Sequence, residues 1–399
     1  MVCQNPLNRT IKFMLTLSGT WPGASCILPF RTFLVVSVIV TTFCNLRYFM
    51  IHMYTGTLGN FIDCLSIIFA HFKVLFKCLT LWFNQRKFIE ILNMMREDWN
   101  DCTNNDVSMR ITASKAKSSE RITYVIAILQ TLSVLGYSSG PLLANIDVTN
   151  NTTEILFITK MEVPFDINTQ RTYRLLLMAE CFTLFIYSWS AGAINCLLLI
   201  LTLHIAGQID IVCYWLTHVA PSGDENKDES ITIATTKIIQ KHKKIIRFSN
   251  IVETLFAYIT LMQFVLNTIM ICALAFLVVS AIGTPDMKQS IVKCFFFYIA
   301  TNLEAYIFCF SGEHLQNKSK EISLAAYNSA WYGMKLKDSR ILLFIILISQ
   351  KPLTLTIGKM TDLSLQSFTK YNILLDYECF GIISVDPIGD AINTESLIF

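Results

Sequence analysis

The chain has 399 residues, of which 53% are hydrophobic and only 15% charged, and its net charge is +3. Ordinary soluble domains carry about a quarter charged residues, so this composition excludes one and implies a polytopic membrane protein. So small a net charge speaks neither for nor against nucleic acid until the charges are placed.

The first 30 residues contain no charged-then-apolar leader with a small-residue cleavage site, so the apolar segment 32–53 is expected to be a true span. Further spans are expected at 56–80, 121–143, 173–206, 250–282 and 289–311. Each reaches the roughly 20 residues that a bilayer requires. The second, fourth and fifth exceed it and are expected to tilt or to continue beyond the lipid as helices. The last apolar run, Ile341–Ile348, is too short to cross, and Gln350-Lys351-Pro352 interrupts it. Proline lacks an amide donor and pushes the residue before it out of helical geometry. A helix is therefore expected to break there, and the segment reads either as a failed span or as a helix that stops in water and restarts in lipid. The chain reads as all-α, with seven transmembrane helices if this segment is the seventh.

Basic residues set the orientation. Arg86, Lys87, Arg96, Arg110, Lys115 and Lys117 lie between the second and third spans, and Lys227, Lys237, Lys241, Lys243, Lys244 and Arg247 between the fourth and fifth. Lys318, Lys320, Lys335 and Lys337 follow the sixth, and Arg9, Lys12 and Arg31 precede the first. The alternate loops are nearly free of them, which puts the N terminus in the cytoplasm. Two overlapping glycosylation sequons, at Asn150 and Asn151, fall in the 144–172 loop that this orientation places outside. A G-protein-coupled receptor has the opposite orientation, and its Asp-Arg-Tyr and Asn-Pro-x-x-Tyr motifs are absent.

No catalytic or metal-binding constellation emerges. Most of the 13 cysteines sit in apolar runs, where free Cys behaves as a small hydrophobe, and there is no CxxC pair. The six histidines are scattered. Phosphate-binding loops, dinucleotide fingerprints and nucleophile elbows are missing, so neither an enzyme nor a metal or organic cofactor is expected. Lys73 and Lys77 are expected to snorkel at the cytoplasmic boundary of the second span. Glu180, Glu253 and Glu304 are candidate ligand or ion contacts, as intramembrane acids are by default. The basic stretch KIIQKHKKIIRF (237–248) reads as a solvated helix surface, with an acidic-lipid contact as the rival reading.

Within residues 309–368, CFSGEHLQNKSKEISLAAYNSAWYGM, then SRILLFIILISQKP, then LSLQSF resemble the insect odorant receptor family. The inverted seven-span layout is also similar. The resemblance implies a cytoplasmic arm (1–31), six helices with a ligand cavity in their outer half (32–311), a cytoplasmic anchor region (312–352), and a pore helix with an extracellular tail (353–399). It also implies that the last helix is split into cytoplasmic and membrane parts. Tyr327, Trp331, Arg340, Gln350 and Pro352 would carry subunit anchoring. Leu363, Leu365, Gln366 and Phe368 would belong to the pore region. By the same resemblance the chain would be an odorant-gated, non-selective cation channel subunit, assembled as a heterotetramer with the family's shared coreceptor. Its setting would be the plasma membrane of olfactory sensory neurons, with lipid and a small volatile organic ligand as further partners and no nucleic acid.

The aromatic and small residues of VLGYSSGPLL (134–143) and MAECFTLFIYSWSAG (178–192) suit an apolar cavity with one or two orienting polar groups. Tyr137, Ser138, Met178, Phe182 and Tyr298 are the candidate ligand contacts. After Phe368 the resemblance stops. A span over 361–385 would carry Asp362, Lys370, Asp376 and Glu378, each costing about 3 kcal/mol at mid-bilayer, so an altered C-terminal segment is expected. Two rival readings are a gustatory-type receptor, whose Thr-Tyr-(apolar)5-Gln-Phe signature is absent, and a secondary transporter, whose repeated halves are not evident.

Overall fold

A computed structural model describes residues 7–373, apart from 24–26, 55–57, 104, 144–156, 166, 168, 220–227, 283–286, 330 and 335. Asn150, Asn151 and the divergent tail beyond 373 lie outside the described residues. The elements in chain order are α1 (Arg9–Leu17), α2 (Ile27–Ile51), α3 (Leu58–Phe83), α4 (Gln85–Cys102), α5 (Asp106–Leu143), α6 (Gln170–His218), α7 (Asp228–Ala281), α8 (Met287–Tyr327), α9 (Leu336–Ser349), β1 (Thr356–Ile357) and β2 (Thr361–Asp362). A further helix, α10, starts at 365 and is described to 373.

Six of these helices, α2, α3, α5, α6, α7 and α8, are long and apolar enough to cross a membrane. Each overlaps one expected span. The fourth and fifth continue past the apolar stretch, as expected: α6 runs 49 residues and α7 54. The sixth, α8, also continues, over 41 residues, which the sequence reading did not expect.

Burial ranks them. In the most apolar stretch of α6, 89% of residues are buried, against 17% in α2. The sequence explains why α6 is central. Its small residues admit close neighbours: a side-chain carbon on Gly192 would lie 3.2 Å from Gln130 Cγ of α5, and one on Gly207 3.1 Å from Lys115 Cγ. Helix α2 instead turns Phe33, Val36, Ile39, Val40, Phe43 and Met50 outward, the pattern of a lipid-facing helix.

Local chemistry sets the ends. Helix α1 stops at Gly19, whose φ of +62° suits glycine. The Arg31 Nε donates to the Gly19 carbonyl at 2.8 Å and ties α1 to α2. Asn105 caps α5 by accepting from the Val107 and Ser108 amides at 3.0 and 3.2 Å. Helix α9 ends at Ser349, as Pro352 requires.

The chain beyond Pro352 does more than break a helix. Residues 352–355 have no regular secondary structure and lead into a two-stranded antiparallel hairpin, with Thr356 opposite Asp362 and Ile357 opposite Thr361. Gly358 and Lys359 both have positive φ, 58° and 64°, the geometry of the tight turn that matches strand twist. Sequence reading missed this element because Gly-Lys is not the usual Asn-Gly signal and each strand is only two residues long.

Candidate functional site

A cavity of about 130 Å³ lies within the bundle. Ile67, Ala70 and Val74 of α3, Val134 and Tyr137 of α5, Leu184 and Ala191 of α6, and Phe297 and Ala300 of α8 give it a mainly apolar wall, and Met270 of α7 closes one side. One buried water requires only about 10–15 Å³ on this measure, so the space suits an organic molecule of roughly ten non-hydrogen atoms. Most of the wall comes from the second, third, fourth and sixth spans, and Met270 adds the fifth.

Toward the loops that the charge pattern places outside, a wider vestibule of about 650 Å³ adjoins the cavity, and Tyr137 lines both. The vestibule also contains Asp63 and Lys293, paired at 2.7 Å, with the Lys293 ammonium 4.9 Å from the Tyr137 ring centre. Glu180 braces the loop between the two spaces. Its carboxylate accepts from the Ile158 amide at 3.0 Å, from the Thr159 amide at 2.6 Å and from the Thr159 hydroxyl. Its role is therefore structural: it holds residues 158–159 against α6.

The floor of the cavity is charged. Lys73 Nζ lies 2.8 Å from Glu304 and 3.3 Å from Asn267 Oδ1, while Gln263 Nε2 donates to the same Glu304 oxygen at 2.7 Å. Lys77 Nζ donates to Asn195 at 3.0 Å and lies 3.6 Å from Glu304. The snorkelling expectation for the two lysines is therefore corrected. Lys73 and Lys77 are 6% and 1% exposed, because Glu304 of α8 supplies a counter-charge inside the bundle.

Of the expected contacts, Tyr137 lines the cavity. Ser138 is buried beside it but donates back to the Val134 carbonyl of its own helix at 2.6 Å. Met178, Phe182 and Tyr298 are 62%, 60% and 45% exposed and point out of the bundle. Sequence reading missed His71, Gln130, Ser188 and Thr301, which line the same space.

Below the cavity, α7 and α8 hold the hairpin. Thr356 donates to Glu253 at 2.7 Å, the Gly358 amide donates to the Ala257 carbonyl at 2.9 Å, and Thr260 donates to the Thr356 carbonyl at 2.9 Å. On α8, Glu313 accepts from the Leu365 amide at 3.1 Å, and a side chain on Gly312 would collide with the Leu363 carbonyl. Leu363 is buried. Leu365 is half-buried, Gln366 is exposed, and Phe368 packs edge-on against Tyr306 of α8. Tyr371 packs against Phe264 of α7. The start of α10 is thus pinned to two helices that also border the cavity.

The anchor candidates cluster around α9. Tyr327, Arg340 and Gln350 are exposed and Pro352 is half-buried. Trp331 packs partly against the core, and its carbonyl accepts from Ser339 at 2.9 Å. Leu342 and Ile345 of α9 face inward, whereas Leu343, Phe344, Leu347 and Ile348 are 52–64% exposed.

At the far end of α7, the basic stretch is not wholly solvated, which corrects that reading. Lys241 and His242 are buried. Asp98 of α4 takes Lys241 at 2.7 Å, Lys244 at 3.0 Å and His204 at 3.1 Å. Burial alone would raise the Asp98 carboxyl, but the hydrogen bond from His204 and the charge of Lys241 outweigh it and hold the group well below the usual carboxylate range.

Known proteins resemble this chain in sequence and in fold. The model of the 7tm odorant receptor family matches residues 57–371. Odorant receptor 85b of Drosophila melanogaster is 26% identical over 225 residues, covering 56% of this chain and 55% of that one. Odorant receptor 10 of Aedes albopictus is 30% identical over 36% of this chain and 37% of its own length. The chain thus aligns with about half, or less, of those two proteins. Odorant receptor 13a of Drosophila melanogaster matches over 89% of this chain and 90% of its own, at 24% identity. In fold, the insect olfactory receptor OR5 from Machilis hrabei superposes with a TM-score of 0.77 at 14% identity, over 94% of this chain and 97% of that one. The complex of that receptor with eugenol gives 0.76 at 15% identity.

Proposed function

The chain belongs to the 7tm odorant receptor family, and from that premise we propose that it is a subunit of an odorant-gated, non-selective cation channel. It assembles as a heterotetramer with the family's shared coreceptor, in the plasma membrane of olfactory sensory neurons, with its N terminus in the cytoplasm. The observation that carries this reading is the cavity whose α8 wall, Phe297 to Glu304, belongs to the same helix that grips the start of α10 through Gly312 and Glu313. That eugenol binds the Machilis receptor supports a small organic ligand here.

A ligand shifts a gate only by binding the open arrangement more tightly. A molecule that wedges against Phe297 and Ala300 displaces α8, and α8 carries the hairpin and α10 with it. Residues 353–399 comprise the pore helix and a divergent extracellular tail, and Leu363, Leu365, Gln366 and Phe368 belong to the pore region. Residues 312–352 form the cytoplasmic anchor around Tyr327, Trp331, Arg340, Gln350 and Pro352. The outward apolar face of α9, Leu343, Phe344, Leu347 and Ile348, suits burial against another subunit, since contiguous exposed apolar side chains mark an interaction site. The arm 1–31 stays cytoplasmic, and Asn150 and Asn151 carry glycans outside.

Whole-cell recording tests this reading. Odorant-evoked cation current is expected when the chain is expressed with the coreceptor and is expected to vanish when the coreceptor is omitted. Transport currents from this chain alone would instead favour a secondary transporter and overturn the proposal.

A further inference from the structure

Three polar atoms in the cavity wall have no hydrogen-bond partner among the described residues: Nε2 of Gln130 on α5, Nδ1 of His71 on α3 and the hydroxyl of Tyr187 on α6, the last of which faces Ser37 and Thr41 of α2. Each residue is only 4% exposed. The other polar groups of the wall are satisfied within the protein. Lys73 and Glu304 neutralise one another, Thr159 donates to Glu180, and Ser188 donates to Gln130 Oε1 at 2.7 Å. With its oxygen occupied, the Gln130 amide presents donors alone, and the neutral imidazole of His71 supplies either role through its choice of tautomer. A buried donor without an acceptor is costly, and the ligand is what removes that cost.

Resting on the reading of this cavity as the odorant site, we infer that its ligands are neutral, mainly apolar molecules carrying a hydrogen-bond-accepting oxygen that takes the Gln130 amide. Ketones, aldehydes, esters and ethers of roughly ten non-hydrogen atoms meet this requirement. Hydrocarbons leave Gln130 unpaired. An ammonium ion would add to a cluster in which Lys73 and Lys77 already outnumber Glu304, and a carboxylate would have to give up its hydration in a mainly apolar cavity.

Matched pairs in which only the carbonyl oxygen is exchanged for a methylene isolate the effect: 2-heptanone with 2-methyl-1-heptene, 2-nonanone with 2-methyl-1-nonene, and acetophenone with α-methylstyrene. The readout is the ligand-induced rise in thermal midpoint of the full chain, purified in lipid nanodiscs. The ketone of at least one pair is expected to act at a concentration about tenfold or more below its partner's. Gln130→Leu is expected to abolish that preference by weakening the ketone while leaving the alkene unchanged. Equal potency of both members of every pair that binds overturns the inference and leaves the cavity reading intact. A ketone preference that persists in Gln130→Leu overturns the assignment to Gln130. If no member of any pair shifts the midpoint, the cavity reading itself falls, and the inference with it.

Discussion

Two lysines facing one glutamate within an apolar bundle make an unequal cluster, and the inequality predicts unequal mutants. Removing the charge of Glu304 strands Lys73 and Lys77, both buried, beside one another. Breaking a buried pair in this way costs about 3–5 kcal/mol, so Glu304→Gln is expected to lower the thermal midpoint and the yield of folded protein sharply. Lys77→Met keeps the long unbranched stem and removes the surplus charge, so its cost should be clearly smaller. Equal losses in a thermal-shift comparison would show that Glu304 does not act as the shared counter-ion.

Asp98 predicts a pH dependence whose sign is fixed. Its folded value lies below that of a free carboxylate, so its stabilisation is complete above the unfolded value of about 4 and is lost as pH falls through the folded one. Asp98→Asn leaves Lys241, Lys244 and His204 without their shared acceptor charge, while Glu97 and Asp101 remain near Lys244 at 3.1 and 3.9 Å. At neutral pH the variant should melt well below wild type, and the gap should narrow as pH is lowered beneath about 4. A gap independent of pH would exclude the charge as its source. At this scale the sequence was least informative. It shows that a lysine or an acid stands in an apolar helix, but the partner lies far along the chain: Lys73 is 231 positions from Glu304 and Lys241 is 143 from Asp98.

Among the elements, the α8–hairpin contact makes a steric prediction. A side-chain carbon on Gly312 would overlap the Leu363 carbonyl, whereas one on Gly59 would find Ser280 at an ordinary 3.7 Å. Gly312→Ala should destabilise by about 1–3 kcal/mol, the usual cost of overpacking, and Gly59→Ala should fall within about 0.5 kcal/mol of wild type. Thermal midpoints of the two variants measure the difference; if both are neutral, the hairpin is not clasped against α8 as described. The spans themselves were readable because a bilayer sets their length and the basic residues set their alternation. The facing of those spans was not. Met178 and Phe182 are four residues apart, on the exposed side of α6, while Leu177, Glu180 and Cys181 are buried. In a helix that is apolar all round, periodicity no longer separates lipid from interior, so the candidates fell on a helix that lines the cavity, but on its outward side.

For the molecule as a whole, α9 presents Leu343, Phe344, Leu347 and Ile348 to solvent in the single chain. Exposed positions tolerate substitution with little effect on the fold, so Phe344→Asp with Leu347→Asp should leave the thermal midpoint of the isolated chain unchanged. Co-purification with the coreceptor should drop severalfold. Undiminished co-purification would remove α9 from the subunit interface.

Odorant action in the cavity between α3, α5, α6 and α8 is the claim on which the proposed function rests most heavily. Ala300 of α8 lines that cavity, and Ala300→Trp would fill it without touching the vestibule, the hairpin or α9. In cells that also express the coreceptor, a chosen odorant should evoke current through the wild-type chain. The variant, present at the surface in equal amount, should need at least tenfold more odorant or fail to respond. An unaltered dose–response curve in the filled variant would contradict the cavity's role.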